Sequence, residues 1–260
     1  MRQVRDTTGR FALRPHYQPA ELDRECEAVL AQFFRPSHGQ IPVPIPTDDL
    51  TRLIERDVSD FDPGADLAEY GADVEGVTEF RPGRKPRVRI AGELAYDERR
   101  QNRYRTTLTH EYGHVRFHSY LFEFHSYLFE IESGSDDLFG LPAQRDRVQV
   151  CKRETILDTR VVDWMEWQAG YVCGALLMPI SSLRASAGAF QEERGIFGPI
   201  ASGSAEAMAL IGRVRGKFCV SAEAARIRLL KLNFLAAQDR GTSIFAPADG
   251  AGLPSISRPR

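Results

Sequence analysis

The sequence of 260 residues predicts an α+β fold that is mostly helical, and three observations support this prediction. Apolar residues recur at helical spacing along much of the chain from Pro19 onward, and a short segment of alternating residues around Val88 indicates a strand. Hydrophobic residues make up 42% of the chain, which is enough to build a core. We expect a small antiparallel sheet before a helix with the pattern H-E-x-x-H at residues 110–114. That helix should pack on a glutamate-bearing helix, and a helix-turn-helix-like unit should follow.

The N-terminal part is predicted to contribute one helix and a connector. Residues 1–18 show no periodicity and are expected to be loosely ordered. Pro19 suits the first turn of a helix, where no backbone N–H is needed, and apolar residues at helical spacing continue to Phe34. The proline-rich segment 41–47 should be extended, and Thr47 can cap the short helix that follows it.

Residues 76–80 and 87–92 are predicted to pair as a β-hairpin. Val88 and Ile90 alternate with arginines, which is the period-two pattern of a half-buried strand. The hairpin is either an ordinary structural unit or the source of an edge strand that pairs with an extended peptide. The arginines and lysine in and after it form either a solvated face or a surface for an acidic partner or nucleic acid.

The H-E-x-x-H pattern consists of His110, Glu111 and His114. Positions four apart lie on one face of a helix, so both imidazoles can reach one cation while Glu111 lies beside it. Asp97 can cap this helix, and apolar residues recur beside the histidines. Gly113 costs about 1 kcal/mol relative to alanine, which is tolerable where another backbone approaches closely. The pattern is typical of zinc peptidases.

An internal repeat follows, because the heptapeptide FHSYLFE at residues 117–123 recurs at 124–130. Seven residues make nearly two helical turns, so the repeat should lengthen the helix and keep each side chain on its face. It is either a tolerated duplication or the source of an exposed aromatic stripe that binds a partner. His118 and His125 lie in these repeats, but helical drift of about 40° per four residues turns them away from His110, so neither is expected to bind metal.

A third metal ligand is expected from the helix predicted over residues 163–179. The residues at helical offsets from Glu166 are small, so this face can approach another helix and bring the carboxylate to a metal. The alternative is a solvated carboxylate. Cys173 lies on the same face and should pack as a small apolar residue. Either Asp158 or Asp163 could accept a hydrogen bond from the second nitrogen of a metal-bound histidine.

Together these residues resemble the ImmA/IrrE family of metallopeptidases. The resemblance lies in HEYGH at residues 110–114, in the E-x-x-A pattern of Glu166 and Ala169, and in the Leu-Leu-Met-Pro sequence at residues 176–179. It covers about residues 45–235 and implies a zincin-like core. The gap between the two halves of the motif is longer than the family usually shows, and the heptapeptide repeat accounts for part of it.

The resemblance also implies a function. His110, His114 and Glu166 would bind one Zn²⁺ per chain, and Glu111 would be the general base of a zinc endopeptidase. Members of the family cleave a helix-turn-helix repressor, commonly encoded beside the peptidase, or act in DNA-damage responses. The alternative is a zinc-containing regulator that binds DNA or sequesters a repressor without cutting it. Three protein ligands instead of four favour catalysis. A third alternative is an accidental motif in a metal-free scaffold.

The C-terminal third predicts two helices joined by a tight turn. Residues 205–218 and 222–232 have helical patterning, and Ser221 can cap the second helix. The unit is locally basic, as a DNA reader requires, but the same arrangement serves as scaffold or as a docking surface for a substrate. The basic residues are Arg213, Arg215, Lys217, Arg226, Arg228 and Lys231.

The predicted organisation has four parts: an N-terminal helix and connector (1–46), a zinc metallopeptidase domain (47–200), the helical unit (201–236) and a disordered tail (237–260). Residues 132–150, rich in Gly, Asp and Ser, are expected to form a mobile loop that could border an active-site cleft. The net charge of −2 predicts no global attraction to nucleic acid. Because no apolar run approaches the roughly 20 residues that span a bilayer, and no signal-peptide core is present, we expect a cytoplasmic protein without membrane contact. The oligomeric state is not indicated.

Overall fold

The computed structural model describes residues 1–81, 83–132, 147–152 and 163–236, and for residues 37–38, 123–132 and 147–152 it describes the backbone alone. The predicted α+β class with mostly helical content is confirmed. The tail predicted at residues 237–260 and the aromatic stripe predicted in the second heptapeptide lie outside what is described.

Most of the described chain is helical. The helices are α1 (Pro19–His38), α2 (Thr47–Asp57), α3 (Gly92–Ala95), α4 (Gln101–Glu132), α5 (Trp164–Leu177), α6 (Ile180–Glu193), α7 (Ala205–Phe218) and α8 (Ala222–Lys231). The strands are β1 (Arg2–Arg5), β2 (Leu13–His16), β3 (Asp60–Ala65), β4 (Val74–Phe80), β5 (Arg87–Ala91), β6 (Arg147–Lys152), β7 (Ile200–Ala201) and β8 (Leu235–Ala236). Within the described residues, no single helix is long and apolar enough to cross a membrane. Helices α5 and α6 together have the length and composition of a membrane span, but they are bent by 65° relative to each other.

The central sheet has the strand order β3-β5-β4-β6. The predicted hairpin is confirmed, since β4 and β5 pair antiparallel with Thr78 opposite Val88. The predicted loop at 132–150 is wrong at its C-terminal end, because β6 pairs antiparallel along β4 and places Gln149 opposite Thr78 and Cys151 opposite Gly76. β4 is therefore an internal strand, buried over most of its length, and β6 occupies the edge beside it.

Helix α4 lies between β4 and α5 and carries the H-E-x-x-H residues. The predicted apolar stripe, which includes Tyr104 and Leu108, is buried in the core. The predicted cap is also confirmed, since the Asp97 carboxylate accepts the backbone N–H of Arg99 at 3.0 Å in a 3₁₀ turn that leads into the helix. The backbone of α4 continues through both heptapeptides to Glu132, so the repeat lengthens the helix as predicted.

Gly113 lies where α4 and α5 approach each other closely. A Cβ atom at this position would lie 3.0 Å from Cα and 3.3 Å from the carbonyl oxygen of Ala169. These contacts are to backbone, which cannot rotate away as a side chain can. The expectation that a neighbouring backbone explains this mid-helix glycine is therefore confirmed.

The N-terminal residues are ordered, so the expectation of loose order at 1–18 is wrong. Strands β1 and β2 form an antiparallel hairpin that is fastened to the beginning of α5. The buried Asp6 accepts the backbone N–H groups of Thr8 and Phe11 at 3.0 and 3.1 Å and the indole N–H of Trp164 at 3.1 Å. Phe11 is buried with its ring edge-on to that of Trp164. These are long-range contacts, which leave no periodic pattern in the segment itself.

The predicted cap at Thr47 is wrong in detail. Helix α2 begins at Thr47 with Pro46 as the N-cap residue, and no side chain caps it. The Thr47 hydroxyl instead accepts a hydrogen bond from the guanidinium of Arg105 at 3.1 Å. Because Arg105 also donates to the carbonyl of Ile45 at 2.7 Å, it ties the connector before α2 to helix α4.

Helices α7 and α8 form the predicted helix-turn-helix shape. Cys219 ends α7 in the left-handed region at φ 51°, and the Ser221 hydroxyl accepts the backbone N–H of Ala224 at 3.0 Å to cap α8. One hydrophobic cluster contains buried residues from Leu22 to Leu235, so the N-terminal helix, the central part and the helical unit share a core. The predicted boundaries at residues 46, 200 and 236 stay predictions.

Gly113→Ala should lower the free energy of unfolding by about 1–3 kcal/mol, because the methyl group would force α4 and α5 apart, and this outweighs the gain in helix propensity. The matched control is Gly212→Ala in the middle of α7, where no atom beyond the adjacent residues and the backbone of the helix itself lies within 4 Å of the added Cβ. That change should raise stability by about 0.5–1 kcal/mol. Urea unfolding of both variants measures the difference, and equal effects would contradict the close-approach explanation.

Candidate metal centre

The three predicted ligands are brought together in a group that could hold a metal ion. His110 and His114 lie one turn apart on α4, and Glu166 faces them from the first turn of α5. His110 Nε2 is 3.1 Å from one Glu166 oxygen, His114 Nε2 is 3.2 Å from the other, and the two Nε2 atoms are 3.2 Å apart. Both histidines are fully buried and Glu166 is 6% exposed, so the alternative of a solvated carboxylate is wrong.

These distances fit a small cation. Ligand atoms at about 2.0–2.2 Å from a tetrahedral zinc ion lie roughly 3.3–3.6 Å from one another. The two Nε2 atoms are 3.2 Å apart, a little closer than this range, and each lies 3.1–3.2 Å from a different oxygen of Glu166, so either oxygen faces the place between the histidines where an ion would bind. Two imidazoles and one carboxylate are also a donor set that zinc accepts in enzymes.

The shifted pKa values of Glu166 and His114 show that the three-residue group attracts a positive charge. Burial alone would raise the pKa of Glu166, but the charge of His114 and hydrogen bonds from His110 and His114 lower it well below its usual range. Burial would lower the pKa of His114, whereas the charge of Glu166 raises it above its ordinary value. Without a metal the carboxylate thus stays ionised and attracts a proton to the imidazole. A metal ion would replace that proton.

Glu111 lies beside this group and is held at one oxygen only. Its Oε2 accepts a hydrogen bond from the Thr78 hydroxyl at 2.6 Å, and its Oε1 is buried and has no hydrogen-bond partner among the described residues. Burial raises the pKa of this carboxyl. Gly76 makes room for it, because a Cβ there would lie 2.5 Å from Glu111 Oε1. Thr78 and Gly76 are neighbours that strand periodicity did not reveal.

His118 lies on the far side of His114 and does not belong to the metal-ligating group. Its Nδ1 is 3.0 Å from His114 Nδ1, and its Nε2 is 3.0 Å from Gln168 Oε1. The amide of Gln168 in turn donates to the backbone carbonyl of Pro15 at 3.0 Å. Burial and the nearby charge of His114 hold the pKa of His118 well below its usual range, so this imidazole is neutral.

The predicted carboxylate partner for a metal-bound histidine is not found at Asp163. This side chain caps α5 by accepting the backbone N–H of Met165 at 3.0 Å, and it forms an ion pair with Arg10. The other candidate, Asp158, lies outside the described residues. Sequence reasoning therefore missed His118 and Gln168. The available signal was the spacing of four from His114, which makes the two histidines neighbours on the helix surface.

Cys173 packs in the helix interface as predicted. The Thr109 hydroxyl donates to its sulfur at 3.3 Å, and the thiol is completely buried. Burial raises the pKa of this thiol to about 11, so the thiolate form that binds metals is disfavoured. Its role is to fill the small-residue contact between α4 and α5.

No match was found when the chain was compared with models of protein families, with curated protein sequences and with solved structures.

In the metal-free protein, Glu111→Gln should raise the melting temperature at pH 7–8 but have little effect near pH 4. The pKa of Glu111 is raised in the folded state, so the stability present while the carboxyl is protonated is lost as pH rises through that value. The amide cannot ionise and avoids this loss. Thermal melts in the presence of a chelator, recorded across this range, measure the effect.

The matched control is Glu75→Gln on the same strand as Gly76. Glu75 is buried, but it pairs with the guanidinium groups of Arg100 and Arg103. Removing its charge should destabilise the protein at pH 7 by about 1–3 kcal/mol, because two guanidinium groups that are only about a quarter exposed lose the charged acceptor of their hydrogen bonds. A Glu111→Gln variant that is also destabilised at pH 7 would contradict the assignment of Glu111 as an unfavourably buried carboxylate.

Proposed function

We propose that this protein is a zinc-dependent endopeptidase of the ImmA/IrrE type, with a zincin-like core, that cleaves a helix-turn-helix repressor or a similar regulator. The observation that supports it most is the buried carboxylate of Glu111, with one oxygen unpartnered among the described residues, beside a three-ligand metal group on the same helix. A structural zinc site is normally closed by four protein ligands. Among the described residues only His110, His114 and Glu166 converge, which favours catalysis.

In this proposal, three residues would bind the metal and a fourth would transfer the proton. His110, His114 and Glu166 would hold Zn²⁺, which when bound would lower the pKa of a water molecule and polarise the scissile carbonyl. Glu111 would accept the water proton at Oε1, because Thr78 keeps Oε2 occupied. A pKa raised by burial brings this carboxyl closer to the working pH of a general base. Glu111 would then return the proton to the amine that leaves.

The alternative of a DNA-binding regulator receives less support from the helical unit. Arg228, on the second helix, is fully buried and paired with Asp23 on α1, where a DNA-reading side chain would need to be exposed. Two further predicted cations are neutralised within the chain, Arg213 by Glu193 and Arg226 by Glu223. These pairs favour a scaffold or docking role for α7 and α8, and binding of nucleic acid stays an untested prediction.

The deciding experiment compares the wild type with Glu111→Gln. Both proteins should contain one zinc per chain, because Glu111 is not a ligand, and only the wild type should cut a helix-turn-helix repressor encoded beside it. The loss of the general base should slow cleavage by about 10²–10⁴-fold. Zinc is measured by elemental analysis and cleavage by the appearance of repressor fragments. Glu206→Gln, an exposed carboxylate on α7, is the matched control and should keep full activity.

Two outcomes would overturn the proposal. If the wild type and Glu111→Gln both hold zinc, both bind the repressor and neither cuts it, the protein is a sequestering regulator. If the wild type, purified without chelators and supplied with zinc, binds none, the metal function of His110, His114 and Glu166 is wrong.

A further inference from the structure

A line of hydrogen bonds runs from the candidate metal centre to the N-terminal hairpin, and the direction of each bond can be deduced. The fixed end is the carbonyl oxygen of Pro15, which can only accept. Gln168 must therefore direct its amide nitrogen to Pro15, at 3.0 Å, and its carbonyl oxygen Oε1 to His118. The opposite orientation of the amide would place two acceptors face to face in a buried position.

The direction of these hydrogen bonds also determines which nitrogen carries the proton on each imidazole. Because Gln168 Oε1 accepts, His118 Nε2 must carry a proton. His118 is fully buried, and its two ring nitrogens face only an amide oxygen and another imidazole. A charge on this ring would be unpaired and costly, so the ring is neutral and its Nδ1 is an acceptor. His114 Nδ1, which lies 3.0 Å away, must therefore be the donor. With its proton on Nδ1, a neutral His114 has a free lone pair on Nε2. That atom is the one that faces Glu166 and His110.

We propose that His118 and Gln168 are positioning residues that hold His114 in the tautomer and orientation in which Nε2 can bind a metal ion. The inference rests on the proposed metal function of His114. Groups that accept the second N–H of a metal-bound histidine typically contribute 10–100-fold to metal affinity. They are usually carboxylates or carbonyl groups, and here a neutral histidine takes that place.

The surroundings explain why a neutral acceptor is suitable. The centre already contains the buried carboxylates of Glu111 and Glu166, and a third negative charge next to them would be costly in a buried position. His118 is itself fully buried and is fixed on its side by the Trp164 ring, which lies edge-on with ring centroids 5.5 Å apart. Gln168 is also buried, with 2% of its surface exposed. Solvent therefore cannot replace the missing partner if one member is removed.

The experiment measures zinc affinity of the full chain by competition with a chromophoric chelator. His118→Leu should weaken zinc binding by about 10–100-fold, because His114 loses its acceptor. His118→Asn should recover most of this loss, since its side-chain oxygen can lie close to the position of Nδ1. Gln168→Met should weaken binding by a smaller factor, because His118 is then free to adopt the other tautomer.

Leu121→Ala is the control for simple loss of packing. Leu121 is buried on the same helix, three residues after His118, but has no polar group. The variant should lose about 2–5 kcal/mol of stability while its zinc affinity stays that of the wild type. The tautomers are read independently from ¹⁵N-edited NMR of the imidazoles in the zinc-loaded protein, which should show His114 protonated on Nδ1 and His118 on Nε2.

The outcomes separate this inference from the proposed function. Wild-type protein that binds no zinc overturns the metal function itself. Zinc binding by the wild type that is unchanged in His118→Leu, or equally weakened in Leu121→Ala, overturns the positioning role and makes His118 a packing residue. If His118→Leu does not fold, the zinc affinities of His118→Asn and Gln168→Met and the NMR tautomers test the inference instead. A wild-type zinc affinity in Gln168→Met, together with His118 protonated on Nδ1, would overturn it.

Discussion

The contact between the backbones of α4 and α5 at Gly113 and Ala169 is the constraint on which the rest of the structure depends. Gly113 directly precedes His114, and Ala169 lies one turn after Glu166, so this contact fixes how far the carboxylate stands from the imidazoles. Helices with larger residues at their contact are commonly about 8–10 Å apart. Without a side chain at Gly113, the ligands on the two helices meet at 3.1–3.2 Å. Helix packing therefore sets the geometry of the site before any ion binds.

This geometry places an unfavourable concentration of charge in the core. Glu111 and Glu166 are both buried, and Glu111 keeps one oxygen without a partner among the described residues. A core that served stability alone would fill this place with apolar side chains. The surrounding structure holds Glu111 in position through the Thr78 hydroxyl and Glu166 through His110 and His114. Buried carboxylates with shifted pKa values are characteristic of functional sites.

The sequence was sufficient where the information is local. The length of α4, the hairpin of β4 and β5, and the cap at Ser221 all follow from periodicity or from one side chain, and Gly113 even pointed to a neighbouring backbone. It was insufficient where a contact joins distant segments. The N-terminal hairpin depends on Asp6 meeting Trp164, and neither residue has a local pattern that reveals the other. The angle between His118 and His110 excludes His118 as a ligand, whereas its spacing of four residues from His114 makes the two imidazoles neighbours on the helix.

Strand β6 has a consequence for any ligand that binds as an extended peptide. It runs antiparallel along β4 with Gln149 opposite Thr78 and Cys151 opposite Gly76, the two β4 residues that touch Glu111. A peptide that paired with β4 at this position would have to displace β6 and would therefore compete with a strand of the same chain. Weak or unstructured peptides would lose that competition. A peptide would therefore pair with β4 only if it also made additional contacts elsewhere on the protein.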